Sequence, residues 1–343
     1  MSGDPLRGAI IGFGNVARHA HLPSWRQDDH FRIVAVVEPD PEQAKLAVEL
    51  LPEARVYPEI DPLLTEKALD FVDICTPPCF HGDLILKACT AGLHVFCEKP
   101  LVTSLESLRR IEQAAREFGR VIFTVNNWKY APLWMKASEL IHSKRVGVVR
   151  SISLTALRPP HSGGGVSNWR RCAEVAGGGI LLDHGWHHLY LIFSMMGESP
   201  YYVSATMEHS QANDPHLEET VDLVMTFPSG RVRLLLTWQA SCRRNQGVIT
   251  GDEGNLFIND DHLILCANGC TPEQYDFPEP LSGGSHHPEW MKPVMEEFLR
   301  EVLDVRARGA NWVEARRCAE LTHLAYQSHR EGSRFIPVGD LTP

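Results

Sequence analysis

Gly8-Ala9-Ile10-Ile11-Gly12-Phe13-Gly14-Asn15-Val16-Ala17 sets a glycine turn directly after a short apolar strand and opens into helical sequence. Gly12, Gly14 and Ala17 keep the spacing of the G-x-G-x-x-A turn. Gly12 permits the tight bend, Gly14 lets a pyrophosphate approach the backbone, and Ala17 keeps helix and strand close. The start of the helix then offers unpaired N–H groups and a positive dipole end to phosphate. Phe13, Asn15 and Val16 complete the expected cofactor contacts of the turn. Glycines also occupy such turns for conformational reasons alone, so the turn by itself does not establish a ligand.

Working outward, apolar runs of strand length recur at 8–14, 31–38, 69–76, 93–97 and 121–125. Each is nearly continuous in Val, Ile, Phe and Leu, as strands buried on both faces of a parallel sheet are. Between them, residues 41–51, 79–91 and 104–118 repeat apolar side chains every three or four positions, and Gly92 and Gly119 stand just past two of the ends. This alternation predicts an α/β fold, a doubly wound Rossmann domain over residues 1–125. Glu38, 21 residues after Ala17, closes the second strand, where a carboxylate can accept hydrogen bonds from both adenosine ribose hydroxyls. Pro39 and Asp40 follow, with no Arg to hold a 2′-phosphate, so NAD is favoured over NADP.

After residue 125 the pattern changes. A helix over 131–143 and a strand over 148–156 lead into a loop rich in Pro, Gly and Arg, then a helix over 178–196. Strands at 202–208, 220–227, 231–239, 247–250, 256–259 and 262–266 then follow one another without helices, with Pro228-Ser229-Gly230 as a hairpin link. Consecutive strands pair antiparallel, so residues 126–343 are expected to form an α+β domain with a largely antiparallel open sheet. Its terminal helices, 288–308 and 313–331, can pack back on the first domain. Val221, Leu223, Met225 and Phe227 alternate along one strand, and Leu234, Leu236 and Trp238 along the next. On a sheet covered on one face only they would lie bare, which predicts a homodimer or homotetramer built by sheet-to-sheet packing.

Composition bounds the function classes. A chain of 343 residues suits two domains. Its net charge of −10, without a run of Lys and Arg, argues against nucleic acid as a partner. No stretch approaches the roughly 18 to 20 apolar residues that cross a bilayer, and the start lacks the apolar core of a secretory signal. A cytoplasmic protein is expected. The nine scattered cysteines read as reduced thiols. Neither Cys75 with Cys79 nor Cys266 with Cys270 has zinc-knuckle spacing, and the His184 and His188 pair has no evident third ligand, so no metal is expected.

Thr76-Pro77-Pro78, His81 and Glu98-Lys99-Pro100 extend the pattern, as does the run from Gly177-Gly178-Gly179 through Asp183-His184-Gly185-Trp186-His187. With the glycine turn and Gly251-Asp252-Glu253-Gly254, these motifs resemble those of the glucose-fructose oxidoreductase and inositol dehydrogenase (Gfo/Idh/MocA) family over the whole chain. The resemblance implies an NAD(P)-dependent oxidoreductase that moves a hydride between nicotinamide and a secondary alcohol or ketone of a sugar, cyclitol or sugar derivative. It places Thr76, Pro77, His81, Glu98 and Lys99 beside the cofactor, and Lys99, Asp183 and His187 in the catalytic set. Two departures stand out: Tyr190 replaces an Asp common three residues after the motif His, and Lys129-Tyr130 replaces a frequent Arg-Phe.

Oxidising an alcohol requires removal of the hydroxyl proton as the hydride leaves, so a base must stand within hydrogen-bond reach of that oxygen. His187 is the expected base. Asp183, four residues earlier, either orients the imidazole or grips a neighbouring hydroxyl, and the ammonium of Lys99 polarises the reacting oxygen. Asn127, Lys129, Arg158, His161, Trp169, Arg170 and His184 are candidate substrate contacts, although the loop residues among them read equally well as a solvated basic loop. Two other functions compete: redox-assisted glycoside hydrolysis, and a silent dinucleotide- and sugar-binding regulator. The joint presence of Lys99, Asp183 and His187 speaks against the second.

Overall fold

The computed structural model describes residues 4–65, 69–160, 169–209, 214–284 and 286–339. The chain divides into two compact units, one running through Asn127 and resuming over His286–Ala315, the other comprising the remainder. The segment from His286 to Ala315 thus belongs with the dinucleotide turn and not with the second sheet.

In the first unit, β1 (Leu6–Ile11), β2 (Phe31–Val37), β3 (Arg55–Tyr57), β4 (Phe71–Ile74), β5 (His94–Cys97) and β6 (Ile122–Thr124) form one sheet in the order β3-β2-β1-β4-β5-β6. Every pairing is parallel, the doubly wound arrangement expected from the continuous apolar runs. β4 and β5 are buried at every position. The helix Met291–Leu303 seats Phe298 against Phe71, Phe96 and Phe123 at ring distances of 5.6, 5.3 and 5.7 Å, which holds this late segment on the parallel sheet. β3, at the sheet edge, is too short and too polar to announce itself in the sequence. The strand order reverses between β1 and β4, and ligands of open α/β sheets collect beyond the carboxyl ends at such a point.

The second unit holds β7 (Val149–Leu157), β8 (Tyr202–His209), β9 (Glu218–Thr226), β10 (Arg231–Thr237), β11 (Arg244–Gly251), β12 (Gly254–Asn259), β13 (His262–Ala267), β14 (Glu273–Asp276) and β15 (Ile336–Pro337). Their order is β14-β13-β12-β11-β7-β10-β9-β8-β15, antiparallel except where β10 runs parallel to β7. The largely antiparallel sheet is therefore as expected; β14 and β15 had no sequence signal.

One expectation needs correction. Val221, Leu223, Met225, Phe227, Leu234, Leu236 and Trp238 are all buried within the single chain, so they leave no bare face. Gly185 explains part of this, because a Cβ there would press on Leu181 and, at 3.0 Å, on Leu236: the motif helix lies on that face. The opposite face points outward with Val224, Leu235, Val248, Ile264 and Phe257, the last 41% exposed.

Candidate functional site

The candidate cofactor edge of the first unit is built on backbone. Gly12 adopts φ +86°, and a Cβ there would meet Thr76 at 3.0 Å and the Cys75 carbonyl at 3.2 Å. Nothing lies within 4 Å of a Cβ built on Gly14. Glu38, 8% exposed, accepts the Phe13 N–H at 2.6 Å on one carboxylate oxygen and the Asp40 N–H at 2.9 Å on the other. Each oxygen keeps acceptor capacity beyond these bonds. Helical turns then run over 15–25, with Asn15, Val16 and Ala17 at their start. The Thr76 hydroxyl is buried and finds no partner among the described residues. An open Gly14, a left-handed Gly12 and an unanswered buried hydroxyl at the carboxyl edge of the sheet fit a dinucleotide.

His81, expected beside the cofactor, is fully buried. Its ring nitrogens lie 2.9 Å from the carbonyls of Thr76 and Pro100, between the loop after β4 and the Glu-Lys-Pro loop, and it presents no surface to a ligand. Burial holds its pKa below the ordinary value despite both carbonyls, so the neutral ring donates to only one of them. The Lys99–Pro100 bond is cis, and the Lys99 N–H donates to its neighbour Glu98 at 3.1 Å.

Behind this edge lies a charged cluster. His21, fully buried, sets Nδ1 2.9 Å from Asp73 and Nε2 2.9 Å from Glu98. Trp25 donates its indole N–H to Asp73 at 2.7 Å, and the Cys75 sulfur lies 3.3 Å from the ring. Burial works against charge on His21, but Asp73 and Cys75 outweigh it and hold the pKa well above the ordinary value. Burial raises the Glu98 pKa, but the hydrogen bond from His21 prevails and keeps it low. Burial and Asp73 push the Cys75 thiol up, so it stays protonated. His21, Asp73 and Cys75 have potential metal-ligand atoms within 4.8 Å of one another, yet as arranged their demands are met by protons.

The candidate catalytic helix of the second unit is built on packing. Gly178 and Gly179 precede a π turn, Leu181–Gly185, which leads into the helix Trp186–Met196. A Cβ on Gly178 would land on the Tyr326 hydroxyl, and one on Gly179 on the Glu218 backbone. The Glu218 carboxylate accepts the N–H groups of Gly179 and Leu181, both at 2.9 Å, and the Tyr326 hydroxyl at 2.9 Å. The helix start is thus capped by a buried carboxylate, whose pKa burial raises despite these donors.

His187, 6% exposed, stacks on Trp128 at 4.8 Å and 15°, with Nδ1 2.9 Å from the Tyr190 hydroxyl. Tyr190 also accepts the Trp128 N–H at 3.0 Å. The departure at 190 therefore supplies an anchor for the motif histidine, one that the sequence did not reveal. Asp183 lies 3.7 Å from Arg170 Nε and 3.6 Å from His184 Nε2, and Arg170 stacks over Trp169 at 4.3 Å. Four candidates, Asp183, His184, Trp169 and Arg170, thus come together. Lys129 rests 5.4 Å over the Tyr130 ring. Asn127 ends the first unit's opening segment. Arg158 needs correction: at 2% exposure it donates to the carbonyls of Leu157 and Arg244 and to Asn245, so it lines no substrate mouth. Burial, with Arg243 adding repulsion, lowers its pKa to about 10. His188 is likewise internal, donating to the His184 carbonyl, and burial lowers its pKa to about 4. His161 lies outside the described residues.

The parallel sheet, glycine turn and acidic strand end define a dinucleotide-binding α/β class. Residues 6–127 match the oxidoreductase family with an NAD-binding Rossmann fold, Gfo/Idh/MocA, and residues 134–257 match that family's C-terminal domain. The chain is 32% identical to the D-glucoside 3-dehydrogenase of Escherichia coli, an alignment covering 97% of this chain and 98% of that protein. The chain belongs to the Gfo/Idh/MocA oxidoreductase family. Among solved structures, levoglucosan dehydrogenase in complex with NADH and levoglucosan has a TM-score of 0.84 at 19% identity, covering 98% of this chain and 100% of that one. A 3-ketoreductase from Actinomadura kijaniata in complex with NADP and TDP-benzene has a TM-score of 0.81 at 21% identity, covering 94% and 98%. At those identities the two structures establish the fold alone.

Proposed function

We propose that the chain moves a hydride between NAD and a secondary alcohol carbon of a sugar, cyclitol or sugar derivative. The observation that carries this reading is the anchored ring of His187, held at Nδ1 by Tyr190 and on its face by Trp128. With Nδ1–H donated to the tyrosine oxygen, the neutral ring can take the substrate's hydroxyl proton at its other nitrogen. Lys99 polarises the reacting oxygen, and Asp183 with Arg170 and His184 grips neighbouring hydroxyls. The bound nicotinamide supplies the hydride acceptor. Glu38 favours NAD because its two oxygens can still accept ribose hydroxyls, whereas a 2′-phosphate would meet a carboxylate. The D-glucoside 3-dehydrogenase relative supports D-glucosides as the first substrates to screen.

His187→Gln should lower turnover by about 10² to 10⁴ while NADH still binds. Near-normal turnover would assign proton transfer to another group. NADH accumulating with product, followed by absorbance, separates net oxidation from redox-assisted hydrolysis.

The outward face with Val224, Leu235, Val248, Phe257 and Ile264 is the surface proposed for a homo-oligomer. A monomeric mass in light scattering at micromolar protein would refute that assembly. No helix among the described residues is long and apolar enough to cross a membrane, and all nine cysteines are free thiols, which supports placement in the reducing cytoplasm.

A further inference from the structure

The buried cluster around His21 takes no part in the chemistry above, yet it touches the segment that carries Lys99. Asp73 and Glu98 are acceptors only when ionised, so a ring bonded to both must donate from both nitrogens. His21 is therefore an imidazolium between two carboxylates. A buried ion cluster is weak evidence for stability, since apolar residues of similar volume often serve as well. Its placement is more telling. His21 stands in the helical turns over 15–25 that follow the glycine turn, Asp73 on β4, and Glu98 just past β5. Glu98 gives one oxygen to His21 and the other to the Lys99 N–H. Three elements of the dinucleotide edge are thus joined through one proton-bearing ring, and the chain of bonds ends on Lys99. The ring of His81 lies 2.9 Å from the Pro100 carbonyl of the same segment.

We propose that His21 is a positioning residue for Lys99: by bridging Asp73 and Glu98, it fixes the carboxylate that holds the Lys99 backbone and so sets where the ammonium is presented. This rests on Lys99 as the polarising group, but the coupling itself can be read without turnover. A cluster that served only the core could still reach the Lys99 amine through its charges, so turnover and NADH affinity are read beside the titration.

The test uses the full chain with its lysines ¹³C-dimethylated, the Lys99 signal being assigned by its loss in Lys99→Arg. His21→Gln and Glu98→Gln should each displace the titration of the Lys99 signal. Glu98→Gln is the second variant because it keeps the shape but offers an amide N–H where the Lys99 N–H needs an acceptor, so it decides the matter should His21→Gln fail to fold. With methyl α-D-glucoside and NAD, turnover should fall on the order of a hundredfold, the loss that a displacement of about 1 Å in a reacting group can cause. NADH affinity should stay close to the unmodified value. Lys99→Met with unimpaired turnover would defeat the catalytic reading of Lys99 and leave the titration to judge the coupling. An unmoved Lys99 titration in a folded His21→Gln or Glu98→Gln protein overturns the proposal.

Discussion

The two glycine-rich stretches of this chain use the same residue in opposite ways. At Gly14 a methyl group would meet nothing within 4 Å, so the missing side chain leaves backbone open to a ligand. At Gly178 and Gly179 the same methyl would land on Tyr326 and Glu218, so the missing side chain is already filled by protein. One stretch keeps space and the other removes it. Their polar partners differ accordingly. Glu38 accepts backbone N–H groups at the margin of a binding edge, whereas Glu218 accepts them in the interior and closes the helix start to any ligand. A glycine run therefore marks close approach, and only its neighbours say whether a ligand or another strand does the approaching.

Substitutions can break this contrast, and the largest effect is expected at Gly179. Gly179→Ala forces a side chain into the Glu218 backbone, and overpacking of this kind costs about 3 kcal/mol or more. An unchanged midpoint in urea unfolding would show that the close approach is not needed. Next comes Glu218→Gln, which sets an amide N–H against a backbone N–H and should lose about 1 to 3 kcal/mol. Its pH dependence has a definite sign. Burial raises the Glu218 pKa above the ordinary 4.5, so the folded state holds more protons in that window, and the carboxyl's contribution falls as pH rises through the folded value. The stability gap between wild type and Glu218→Gln should thus narrow as pH rises, in unfolding curves taken at a series of pH values. A gap that widens would contradict the burial.

Gly14→Ala should separate binding from stability. Its φ is ordinary and its surroundings are open, so stability should hold or gain about 0.4 to 1 kcal/mol, while NADH affinity falls on the order of tenfold, about 1.4 kcal/mol. Loss of stability with affinity intact, by calorimetry, would make Gly14 a packing glycine like Gly179. The smallest effect on turnover is expected from Tyr190→Phe, which removes the hydroxyl that holds His187 and accepts the Trp128 N–H. That is about 1 kcal/mol, roughly fivefold in turnover, with NADH binding unchanged. Unaltered turnover would show that the Tyr190 hydroxyl is not needed to hold His187 in place.

Some of the hidden site left traces in the sequence. Asp73 stands inside Phe71-Val72-Asp73-Ile74, a strand buried on both faces, and a carboxylate there demands a buried partner. That signal could have pointed to a cluster but not to His21, 52 residues away in sequence. Tyr190 was visible only as a departure, because nothing local says that its hydroxyl meets both His187 and the Trp128 backbone. Arg158 and His81 misled for the converse reason: a polar residue near a motif reads as a ligand contact, while here the backbone carbonyls of Leu157 and Arg244, and of Thr76 and Pro100, claim them.

By itself the sequence determined the α/β class, the glycine turn and the acidic end of β2, because these depend on local periodicity and spacing within a few turns of chain; Lys99, Asp183 and His187 were singled out by the resemblance of their motifs to the family. Tertiary structure alone decided that His286–Ala315 joins the first unit and that the apolar face of β9 and β10 is covered within the chain. It also decided that Glu218 caps the motif helix and that His21 lies between Asp73 and Glu98. The physical reason is the same in each case. Burial and protonation belong to the neighbours a residue acquires on folding, and those neighbours stand tens to hundreds of positions away.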